Sequence, residues 1–206
     1  MKENIQDNIE LGINAAMQLI PVVGGSLSTL YFGYKQNKEF RRLEKTLIEI
    51  AEELNDKKIP NIKEHNEAEL MSLIEELNDK IEKEHIEEKR KCYKNFYKKI
   101  LVIPNQNTYN ERKMFLEILS TMTPLQIELL NFLAIQPAPV LDNTIVNPLY
   151  SKAVILGSIA QLKNQGLIDC FTNSITIGGS GKISEKIIVS DFGKRFHQFC
   201  ILDNLK

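Results

Sequence analysis

The side chains best equipped for chemistry are three histidines, three cysteines, a glycine-rich stretch ending in lysine, and two runs of cations. His65, His85 and His197 are scattered, and His85 lies seven positions from Cys92 on a predicted helix. A helix-borne metal pair needs an i, i+4 spacing, so these residues predict no metal site. Cys92, Cys170 and Cys200 are odd in number and widely separated, which argues against a disulfide framework or a zinc knuckle. They are expected to be buried free thiols of a cytoplasmic protein. Gly178-Gly179-Ser180-Gly181-Lys182 has the flavour of a phosphate loop, but Thr176 stands where its first glycine belongs and Ile183 where its Ser/Thr belongs. A hairpin tip accounts for it better. The many glutamates of the middle region fit a solvated helical face. No enzyme activity, cofactor or small-molecule substrate is expected.

Cations therefore carry most of the functional interest. Lysine and arginine together number 26 against 27 aspartates and glutamates, so no whole-chain field draws the protein to a polyanion and any such binding must be local. One group, Lys35, Lys38, Arg42 and Lys45, recurs at helical spacing on one face. A second, Lys89, Arg90, Lys91, Lys94, Lys98 and Lys99, is interleaved with Tyr93, Phe96 and Tyr97. Basic residues among aromatics suit a polyanion or an anionic lipid surface; cations near a helix C-terminus also suit the helix dipole with no ligand at all.

The elements that position these groups are mostly helical. Phe40, Leu43, Leu47, Ile50 and Leu54 follow a 3-4-3-4 spacing. Asp56–Lys63, with Pro60, interrupts the pattern. A second long helix is predicted from about His65 to Ile100, its buried stripe marked by Leu70, Leu73/Ile74, Leu77, Ile81, Cys92, Phe96 and Ile100. Two seams joined by a short break predict an antiparallel helical hairpin.

Ahead of it, Ala15 to Tyr34 carries no charge over twenty residues. The run is long enough to span a membrane, but Pro21, Gly24 and Gly25 break it and several hydroxyl residues dilute it. Two readings fit: a Pro/Gly bend between short packed helices, or a self-association or membrane-contact surface backed by the cations that follow. The first ten residues, with Glu3, Asp7 and Glu10, do not look like a signal peptide.

Thr123-Pro124-Leu125-Gln126 has the composition of a capping box, with proline at the first helical position. A second helix runs from about Ser151 to Gln165 and stops at Gly166. Leu167–Ile177 and Ile183–Val189 form a hairpin pattern, and a last helix starts near Ser190. Between the first two helices, Pro137, Pro139 and Pro148 predict an extended loop.

The motifs Thr123-Pro124-x-Gln126-x-x-Leu129-Leu130, Ile159-x-x-Leu162-x-x-x-Gly166-Leu167-Ile168 and Ile188-Val189-Ser190-Asp191-Phe192-Gly193-Lys194 resemble winged-helix domains of the multiple-antibiotic-resistance repressor family. The resemblance implies a recognition helix at 151–165, with Lys152, Gln161, Lys163 and Asn164 facing a DNA groove and Lys182 reaching a phosphate from the wing. That helix offers two lysines and no arginine, which is thin support for phosphate contacts or guanine reading. The whole layout, with Phe115-x-x-Ile118-Leu119-Ser120-x-Met122-Thr123-Pro124-x-Gln126, is similar to bacterial abortive-infection alpha proteins, which implies a phage-defence setting.

The resulting expectation is a mainly α protein: residues 1–105 a helical region with a hairpin, residues 106–206 a winged-helix domain. Its work would be non-enzymatic contact with a protein partner or a second copy. DNA regulation and membrane association through residues 15–45 are the alternatives.

Overall fold

The computed structural model describes residues 38–54, 66–104, 107–172 and 185–204. Pro21, Gly24, Gly25, Lys35, the 56–63 interruption and the tip with Lys182 lie outside the described residues, as does the side chain of Lys38. The described part is mainly helical with one small three-stranded antiparallel sheet. It divides into two compact units, the residues up to Ser120 and Thr121–Asn204. Among the described residues no helix is long and apolar enough to cross a membrane.

The first unit holds α1 (Lys38–Leu54), α2 (Glu67–Lys83), α3 (Glu87–Val102) and α4 (Tyr109–Thr121). The predicted stripes are buried: Leu43, Leu47, Ile50 and Leu54 on α1, Leu70, Leu73, Ile74, Leu77 and Ile81 on α2, and Cys92, Phe96 and Ile100 on α3. The single helix expected from His65 to Ile100 is instead two, broken at Glu84-His85-Ile86. Glu84 terminates α2 through its own N–H to the Ile81 carbonyl at 3.3 Å. Its carboxylate accepts the Ile86 N–H at 2.9 Å and lies 3.1 Å from the Lys89 ammonium. Burial raises the affinity of Glu84 for its proton, yet that N–H and Lys89 outweigh it and hold the carboxyl below the ordinary carboxylate range. The break lets α1, α2 and α3 pack pairwise on one another, so three helices share one core where a two-helix hairpin was expected. α4 joins α2 through Tyr109 Oη and Ser72 Oγ at 3.2 Å and through the Lys113–Glu76 ion pair.

The second unit runs α5 (Pro124–Ala134), β1 (Val140–Leu141), α6 (Lys152–Asn164), β2 (Ile168–Thr172), β3 (Glu185–Val189) and α7 (Asp191–Phe196), which continues as a π-helical turn over His197–Ile201. Both arms of the predicted capping box form on α5: the Gln126 N–H donates to Thr123 Oγ1 at 3.3 Å and the Thr123 N–H to Gln126 Oε1 at 2.7 Å. α6 ends at Gly166, whose φ of +73° only glycine adopts without strain. β2 and β3 pair in antiparallel register, Ile168 opposite Val189 and Cys170 opposite Ile187. The expected loop at 136–150 contains two unforeseen elements, strand β1, with Val140 opposite Ile187, and a 3-10 turn over Asp142–Thr144. The sheet order is β1-β3-β2.

Two close approaches tie the hairpin to α7. Ser190 accepts the Gly193 N–H at 2.9 Å and donates to the Gly166 carbonyl at 2.6 Å. A methyl group on Gly193 would sit 1.9 Å from the Leu167 carbonyl oxygen, so only glycine fits there.

Candidate functional site

Two surfaces stand out, one in each unit, and they are built from opposite chemistry. In the first unit the two cation runs of the sequence are brought together. Arg41, Arg42 and Lys45 from α1 and Arg90, Lys91 and Lys94 from α3 line one half-open cleft of about 270 Å³, with Glu49 and Glu87 between them. The acids set the geometry of their neighbours. Lys94 bridges Glu49 at 3.0 Å and Glu53 at 2.9 Å, Lys45 stands 3.8 Å from Glu49, and Arg90 pairs with Glu87 one turn away. Arg42 donates to the backbone carbonyl of Glu82, a neutral acceptor, and forms no ion pair among the described residues. Arg41 and Lys91 are exposed and make no hydrogen bond or ion pair among the described residues.

Not every cation of the two runs reaches this cleft. Lys98 is buried and turned to Glu53. Burial pushes the Glu53 carboxyl up, and the hydrogen bonds and charges of Lys98 and Lys94 more than offset it, so the group sits below the ordinary range. Lys89 donates to the Ser120 carbonyl at 3.0 Å, near the C-terminus of α4. Lys99 is buried too. The expected continuous basic and aromatic face from Lys89 to Lys98 is therefore split: Lys89, Lys98 and Lys99 hold the fold, Tyr93, Phe96 and Tyr97 are buried in the core, and only Arg90, Lys91 and Lys94 reach the cleft. The aromatic interleaving that suggested stacking is core packing.

In the second unit Lys152, Gln161 and Lys163, three of the residues assigned to DNA reading, lie on α6 and are engaged elsewhere, while Asn164 is exposed and Lys182 lies outside the described residues. Lys152 donates to the Asp142 carbonyl at 2.6 Å, and Lys163 stands 3.4 Å from Glu185. Gln161 Oε1 accepts from the buried Gln126 amide. α6 packs inward through Ile155, Ile159 and Leu162. The opposite face carries Ala153, Gly157, Ala160 and Asn164, all exposed, with Val154 and Leu156 beside them. A methyl added to Gly157 would meet nothing within 4 Å. Immediately before the helix, Val146 and Leu149 are each 82% exposed. This apolar surface was not legible from the sequence, where the same residues fit a buried stripe equally well.

The thiols are quiet. Burial pushes Cys92 up to about 11 and raises Cys170, and Cys200 is buried. Among the described residues no group of three or more metal-ligating side chains gathers. No protein-family model, curated protein or solved structure matches the chain.

Proposed function

We propose that the chain is a non-enzymatic interaction protein whose second unit is a winged helix turned to protein contact. The order helix, strand, helix and hairpin in that unit agrees with such a fold, with α6 in the place of the recognition helix. The observation that carries the functional reading is the outward face of α6, where Ala153, Gly157 and Ala160 are small and apolar and Asn164 alone is polar, whereas a base-reading helix needs several cations and amides. Small residues let another backbone approach closely, and the neighbouring Val146, Leu149 and Val154 supply apolar area of the kind that marks interaction sites. The phage-defence setting implied by the resemblance belongs to the same proposal; phage challenge of cells with and without the chain tests it.

A photo-crosslinking residue placed at Val154 is expected to give discrete protein adducts in cells, either with a second copy or with another protein. The same residue at Glu117, exposed on α4, is the control. Adducts at neither site, or at both equally, would remove the support for this surface. The DNA-regulator reading is tested in parallel by Lys152→Glu combined with Lys163→Glu. Unchanged retention on DNA at low salt is expected; a clear loss, with a reduced salt slope, would give the unit to DNA instead.

A further inference from the structure

We infer that the cleft between α1 and α3 is a binding site for a compact small anion bearing several phosphoryl groups. This stands apart from the reading of the second unit, since it rests on the first unit alone. Among the described residues, six cations converge on one concavity from two helices and two carboxylates stand between them. Those carboxylates are already engaged by Lys94, Lys45 and Arg90, so they orient cations without filling the site. Arg41, Arg42 and Lys91 keep charge available for a ligand. Arginine forks suit phosphate oxygens, and a concave wall concentrates the field that a flat face would lose to solvent.

The geometry also selects among polyanions. A nucleic-acid backbone needs cations strung along a stripe, and a single strand needs aromatic faces for its bases. Here the cations converge, and among the described residues no aromatic side chain lines the cleft. A volume of about 270 Å³ accommodates a few phosphoryl groups and leaves little room for more. Recognition is therefore of the phosphates, with the rest of the ligand projecting outward.

The clamp beneath the site gives it a fixed shape. Lys94 holds Glu49 and Glu53 of α1 from its position on α3, and Arg42 reaches from α1 to the end of α2. The described lining of the cleft is thus bound to helix packing.

Isothermal titration of the full chain with inorganic tripolyphosphate is the test. Binding about tenfold or more tighter than that of sulfate at equal ionic strength is expected, weakening as salt rises. Arg41→Ala with Lys91→Ala should lower the affinity about tenfold or more, and Lys91→Arg should retain it. Both residues are exposed and free of ion pairs among the described residues, so an unchanged unfolding curve will certify the variants. Tripolyphosphate held no better than sulfate, or equally by wild type and the double variant, overturns the proposal. So does a DNA oligonucleotide or an anionic phospholipid vesicle that displaces tripolyphosphate at equal phosphate concentration.

Discussion

Lys98 in the first unit is 3% exposed, while Leu149 in the second is 82% exposed. Composition would have exchanged them. The contrast is general: the buried lysines and arginines, Lys89, Lys98, Lys99 and Arg112, all belong to the first unit. Among the described residues, the exposed large apolar side chains of the first unit are Ile86, Ile103 and Met114, and the rest are in the second. Lys98 meets the Glu53 carboxylate, and Arg112 and Lys89 meet carbonyl oxygens that helix ends leave in need. Arg112 donates to the Ile103 and Pro104 carbonyls at 3.0 and 2.8 Å beyond the end of α3, and Lys89 does the same for α4. The buried charge of the first unit is therefore structural. The second unit builds its core from apolar contacts and two tight backbone approaches, and still leaves apolar surface uncovered. Exposed apolar surface of this kind is what the proposed contact with a partner would cover.

This contrast can be broken at its strongest point by Gly193→Ala. The added methyl collides with backbone, not with a side chain that could turn away, so the second unit should lose about 3 kcal/mol or more in chemical denaturation. A loss under about 1 kcal/mol would mean that the hairpin and α7 are not so closely joined. The charge side of the contrast is tested by Glu53→Gln. Glu53 is partly open to solvent, which screens it, so a loss of about 1–2 kcal/mol at neutral pH is expected. Its carboxyl is depressed in the folded state, so its contribution is complete above the ordinary value of 4.5 and lost as pH falls through the lower folded value. Wild type and variant should therefore converge in acid; a difference that persists there would assign the effect to packing. The smallest effect sharpens the other side. Gly157→Ala adds a methyl to open space on a helix and should stabilise by about 0.5–1 kcal/mol while reducing crosslinking from position 154. Stabilisation with undiminished crosslinking would move the contact away from the small face of α6.

Local signals in the sequence predicted local structure well. The Thr123–Gln126 box, the stop at Gly166, the β2–β3 hairpin and the start of α7 beyond Ser190 are each written within a few residues. The break at Glu84-His85-Ile86 was missed because the apolar stripe continues in phase on both sides. The overlooked signal was chemical: Glu87 and Glu88 in a first turn followed by cations is the charge order of a new helix. β1 has two residues and no periodicity; it exists because Ile187 and Lys186 of β3 offer it a partner. The cleft was half legible, since both cation runs were evident. Their convergence depends on α1 packing against α3, and the inward turn of Lys98 depends on where Glu53 falls, neither of which is encoded in spacing along one helix.

Gln126 has a consequence for how the second unit opens. Its side-chain oxygen accepts the Thr123 N–H to close the α5 cap, its backbone N–H donates in return to Thr123 Oγ1, and its side-chain amide donates to Gln161 on α6. Helix ends normally fray, exchanging their first amide protons with water on their own. Here the first turn of α5 cannot unwind without releasing α6. In hydrogen exchange its amides should behave as part of the cooperative centre of the unit: a helix terminus with the protection of a helix middle.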